Sequence, residues 1–160
     1  MSKFTLADTA DVTQINVRYD STSAAGTNSK GLIYTDVAGV PTTLKAVSSA
    51  VAVPAGGGDI AHTITVTLTP GDYWLGAVND SSTSVFQGDV SGGGSRMEAT
   101  TYASPASTWV EAGSTTIQFN AYATYTIGGT PPEQRTDRSA DAQGPGRYSN
   151  QRFGGGWVGR

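Results

Sequence analysis

One hundred and sixty residues, 37% apolar and 14% charged, with one histidine and no cysteine, make a one-domain length with room for a sizeable core. Disulfides, thiolate nucleophiles and cysteine-bound zinc are excluded together. The net charge of −3 divides unevenly: residues 1–129 hold ten acidic and five basic side chains, and residues 130–160 hold three acidic side chains and five arginines, a weak electrostatic footprint that leaves nucleic-acid contact a third reading behind assembly and glycan binding.

The opening stretch from Met1 to Leu6 lacks the apolar run of a secretory signal, and no stretch approaches the length that spans a bilayer. The expectation is a protein made in the cytoplasm with no membrane partner. Ile15, Val17 and Tyr19 alternate with Asn16 and Arg18, which predicts a half-buried strand. The Ser, Thr and Gly content of residues 20–28 predicts a loop. Gly31-Leu-Ile-Tyr-Thr-Asp36 predicts a second strand, closed by a turn that Gly39 and Pro41 punctuate. Residues 44–53 fit helix or strand.

Residues 60–68 alternate most regularly, with Ile60, His62, Ile64, Val66 and Leu68 on one face and Ala61 and three threonines on the other. Thr69-Pro-Gly-Asp72 supplies a turn. Tyr73-Trp-Leu-Gly-Ala-Val78, apolar on both faces, predicts a central strand, joined to 60–68 as a hairpin. The Ser- and Gly-rich region 79–114 suggests short strands around 83–87, 97–103 and 107–111. A long final strand puts Ile117, Phe119, Ala121, Ala123, Tyr125 and Ile127 on one face, with a bend or bulge expected along it. The fold class is therefore all-β: an antiparallel two-sheet, jelly-roll-like sandwich over residues 1–128. Residues 129–160 form an extended arm, because Pro131, Pro132, Gly144 to Gly146 and Gly154 to Gly156 cannot continue a sheet.

Catalysis finds few components. A Ser-His-Asp arrangement needs an accessible imidazole, and His62 sits on the apolar face of a regular strand, where a buried or cross-strand-paired ring is the expectation. Glu98, Glu111 and Glu133 are the only glutamates, and most aspartates fall in turns. Asp20, Asp36, Asp80 and Asp89 occupy predicted loops without the spacing of a calcium motif, so neither metal nor cofactor is expected. The glycine triplets at 56–58 and 92–94 precede no helix and carry no phosphate-loop lysine, which makes them turns. Tyr102, Trp109 and Tyr122 are candidates for a glycan-stacking platform. Trp74, Phe119 and Tyr125 read as core, with Tyr34 packed beside them.

Gly31-Leu-Ile-Tyr-Thr-Asp-Val-Ala-Gly-Val-Pro41 followed by Gly71-Asp-Tyr-Trp-Leu75 resembles a pattern in β-sandwich modules of phage virion proteins and bacterial surface proteins. The resemblance spans residues 4–80 and implies an exposed structural or adhesive module with no catalytic residues to carry over. A Met start, no cysteine and an aromatic-glycine ending look like a small virion gene product, a capsid decoration or tail-associated protein. Tyr148, Phe153 and Trp157 would anchor the arm, with Arg152 and the other arginines steering it onto an acidic neighbour. The partners expected are further copies of the chain or other virion proteins. The alternative is a glycan-binding or adhesin module at an extracellular surface.

Overall fold

The structure, a computed structural model, describes residues 1–89, 94–98 and 100–128. Twelve strands follow one another among them: β1 Ser2–Leu6, β2 Ala10–Tyr19, β3 Thr27–Val37, β4 Val40–Val47, β5 Val51–Val53, β6 Gly58–Leu68, β7 Gly71–Asn79, β8 Gly88–Asp89, β9 Ser95–Glu98, β10 Glu111–Thr115, β11 Gln118–Phe119 and β12 Ala121–Ile127. No helix occurs among the described residues, and every strand pairing is antiparallel. The largest sheet runs β1-β7-β3-β4, with β5 added beside the start of β3, a second runs β12-β2-β6, and β10-β9 and β11-β8 form two-stranded pairs.

The two larger sheets face each other across one apolar core. Leu6, Ile33, Tyr73 and Leu75 come from one side, and Val12, Ile15, Val17, Ile60, Ile64 and Leu68 from the other. Each such aliphatic side chain contributes about 1.5–3 kcal/mol on burial. Every second residue of β6 from Ile60 to Ile64, and Leu68 beyond them, is buried, while Ala61 and the threonines are exposed, as the alternation predicts. In β2 the buried phase shifts from Ala10 and Val12 to Ile15, Val17 and Tyr19. Irregular register at residues 12–14 against β6, and beside Thr124 and Tyr125 of β12, absorbs the shift.

β7 is central, as its doubly apolar sequence predicts, because both of its faces are covered. Its second face, with that of β3, buries Met1, Leu32, Tyr34 and Trp74, against which Leu44, Val78 and Trp109 pack. The β3–β4 turn holds Ala38 at φ 55° and Gly39 at φ 81°, the left-handed pair of a two-residue hairpin loop. Residues 44–53, ambiguous in sequence, are strands β4 and β5.

Three expectations are corrected. First, β6 and β7 form no hairpin: β6 pairs β2, whereas β7 pairs β1 and β3. The corner at residues 69–72 carries the chain from one sheet to the other, and the Tyr73 hydroxyl donates back to the Thr69 carbonyl at 2.9 Å. Second, Tyr125 is no core residue. It lies opposite buried Val12, on the core side, yet is 44% exposed, because β12 is an edge strand that the facing sheet does not cover there. Third, the short strands of 79–114 are only partly where expected: β9 overlaps the start of 97–103 and β10 begins at Glu111, but no named strand covers 83–87. Phe86 makes only an isolated bridge to Tyr19 and Thr108 one to Thr43, and the paired segments are β8, β9 and β10. The expected break in the last strand falls at Asn120, between β11 and β12.

Candidate functional site

His62 is fully buried, and its Nε2 lies 3.0 Å from the Ser29 hydroxyl of the opposite sheet. Gly31 makes room for the ring, since a Cβ there would stand 2.8 Å from the His62 Cβ. Burial lowers the imidazole pKa to about 4, so the ring is neutral at pH 7. Its Nδ1 has no hydrogen-bond partner among the described residues. A hydroxyl and an imidazole in contact are two parts of a nucleophilic triad. Here both are sealed in the core, and among the described residues no carboxylate orients the ring, so the pair is a buried hydrogen bond between the two sheets.

The aspartates serve the backbone. Asp20 accepts from the Thr22 N–H (2.9 Å) and hydroxyl, and Asp80 from the Asn28 N–H and side-chain amide, both at 2.8 Å. Asp36 accepts from the Trp74 indole (2.6 Å), the Gly39 N–H (3.0 Å) and Lys3 (3.3 Å). Burial pushes the Asp36 pKa up, but these three donors together outweigh it and hold the carboxyl below the usual value. Asp89 stands in β8, opposite Gln118. No group of three potential metal ligands occurs among the described residues.

A cavity of about 330 Å³ opens beyond the first residue of β1, beside Met1. β1 reaches only Leu75, so from Gly76 to Asn79 β7 keeps its β3 neighbour alone among the described residues. Val17, Phe86 and Phe119 line the cavity from the core side, and Leu32, Val78 and Glu98 line it as well. The Tyr34 hydroxyl lies within hydrogen-bond distance of both Glu98 oxygens (2.8 and 2.9 Å) and of the Ala106 carbonyl (2.6 Å). Burial raises the pKa of Glu98. The pocket is mainly apolar, at the lower end of small-ligand size, and its one carboxylate is tied to the fold.

The three aromatics expected to form a glycan platform are not brought together. Trp109 packs edge-on against Tyr34, with ring centroids 5.4 Å apart, and its indole donates to Glu111 at 3.1 Å. Tyr102 lies under the Lys30 ammonium, 4.5 Å from its ring centre. Both belong to the outer side of the five-stranded sheet. Tyr122 stands opposite Asn16, on the outward face of the three-stranded sheet, and is 58% exposed. The residues expected to anchor an assembly arm, Tyr148, Arg152, Phe153 and Trp157, lie outside the described residues.

What the described residues do concentrate is exposed apolar surface on one strand. β12 carries Tyr122, Tyr125 and Ile127, respectively 58, 44 and 58% exposed. Its seven residues include no charge and no proline, two of the devices by which edge strands are normally blunted. Sequence alternation placed Tyr125 and Ile127 on the face it shared with Phe119 and read Tyr125 as core, and only the strand order reveals that they sit at an edge. Comparison with family models, with curated proteins and with solved structures finds no match for the chain.

Proposed function

We propose that this chain is a structural subunit of a bacteriophage virion, a capsid-decoration or tail-associated protein, which works by binding and assembly rather than by catalysis. It would self-assemble, or attach to a larger shell, through residues 129–160. The observation that carries this reading is the uncharged edge strand β12 with its exposed Tyr122, Tyr125 and Ile127. It ends at the residue before Gly128, from which the arginine- and aromatic-bearing segment continues. Apolar surface gathered on one uncharged edge strand marks interaction rather than solvation. The sandwich is the rigid body, Tyr148, Phe153 and Trp157 concentrate binding energy in few side chains, and Arg152 adds steering charge toward an acidic partner.

The test uses the full chain carrying Phe153→Ala and Trp157→Ala. Circular dichroism should show an unchanged sandwich, while sedimentation and particle-binding assays should show association weakened more than tenfold, the loss expected when aromatic anchors are removed. A double variant that assembles and binds particles as well as the parent chain would overturn the reading.

A further inference from the structure

The open edge of β12 is complementary to itself. The Arg18 N–H donates to the Asn120 carbonyl (2.9 Å), and the Gly128 N–H donates to the Thr9 carbonyl (3.0 Å). Even-numbered residues along this stretch therefore direct their backbone groups to β2. By the alternation of an antiparallel ladder, Ala121, Ala123, Tyr125 and Ile127 direct theirs away. No strand takes up those groups among the described residues.

We propose that β12 pairs with β12 of a second copy of this chain, antiparallel about a two-fold axis through Thr124. The inference builds on the assembly reading but stands on a surface separate from the arm. Only a register centred on Thr124 brings all four outward-directed residues into hydrogen-bonded pairs: Ala121 with the partner's Ile127, and Ala123 with the partner's Tyr125. The side chains then match in size. On the core side each large residue, Tyr125 or Ile127, meets an alanine. On the outer face Tyr122 meets Thr126 and Thr124 meets its own mate, the aromatic–β-branched and Thr–Thr pairings that stabilise antiparallel strands. An interface of this kind is isologous and closes on itself at two copies. The two three-stranded sheets become one continuous sheet.

Charge also points to a second copy. Nothing on β12 is charged, so two edges approach without repulsion. Residues 1–129 carry twice as many acids as bases, whereas residues 130–160 carry five arginines against three acids. Antiparallel pairing puts the end of each β12 beside the start of the other. A second copy therefore offers each net-basic segment a net-acidic body, a complementarity that favours the pair electrostatically.

The absence of cysteine makes the register directly testable. Directly opposed residues in a non-hydrogen-bonded pair lie about 4.5 Å apart, within the range a disulfide bridges. Thr124→Cys in the full chain should therefore give a disulfide-linked dimer under mild oxidation. Tyr122→Cys, whose mate would lie four residues away along the strand, should not. Ala123→Pro removes an N–H on the open side and leaves the β2 ladder whole, so it should sediment as a monomer with an unchanged circular dichroism spectrum. Equal cross-linking of the two cysteine variants, cross-linking of neither, or a proline variant that dimerises like the parent would overturn the inference. Because the arm is intact in all three variants, their particle binding reports on residues 129–160 separately from β12 pairing.

Discussion

His62 shows how a single residue joins two sheets. Its ring rests on Gly31, touches Ser29 and is excluded from water, and burial holds its pKa at about 4 against about 6.5 for a free histidine. Between these values the unfolded chain takes up a proton that the folded chain does not. The resulting stability is fully present above pH 6.5 and is lost as pH falls toward 4, with a magnitude of about 3 kcal/mol. Urea unfolding at pH 7 and pH 4 measures this directly: the parent chain should lose about 3 kcal/mol more than His62→Gln over that interval. A parallel fall in both proteins would show that the imidazole protonates within the fold. Alternation in the sequence placed His62 in the core. It could not reveal Ser29 or the space left by Gly31, because both lie on a strand more than thirty residues away in the other sheet.

At the scale of elements, the legible strands were those whose two faces differ, as in β6, or those apolar throughout, as in β7. Such patterns report burial on each side of a strand but not which strand lies next to it. The sequence of the 69–72 corner satisfies turn chemistry equally well for a hairpin and for a crossing between sheets, and the structure takes the crossing. Tyr125 was misread for the same reason, since its phase is that of the core while its strand is an edge. Trp74 was read correctly: it is 5% exposed on central β7, and its indole holds Asp36 beneath the β3–β4 turn. Trp74→Ala removes a large buried ring and one of the Asp36 donors, and should cost about 3–5 kcal/mol in urea unfolding. A loss under about 1 kcal/mol would place the ring at the surface.

For the whole molecule, cohesion and association should respond differently to salt. The described ion pairs are Lys3 with Asp36 and Asp72, Arg18 with Asp59, and Arg96 with Glu111. Except for the Asp36 side chain, their members are about one-third exposed or more, and pairs of that kind contribute about 0–1 kcal/mol each. The sandwich is held by its apolar core, so raising NaCl from about 0.05 M to about 1 M, which shortens the screening length from above 10 Å to about 3 Å, should move its unfolding free energy by less than about 1 kcal/mol. The proposed interfaces divide along the same line. A basic arm on an acidic neighbour weakens as charges are screened, whereas the β12 edge, uncharged and apolar, does not. Sedimentation across that salt series should therefore show species larger than a dimer at low salt and a persisting dimer at high salt. If the dimer dissociated together with the larger species, charge rather than the edge strand would be holding the copies together.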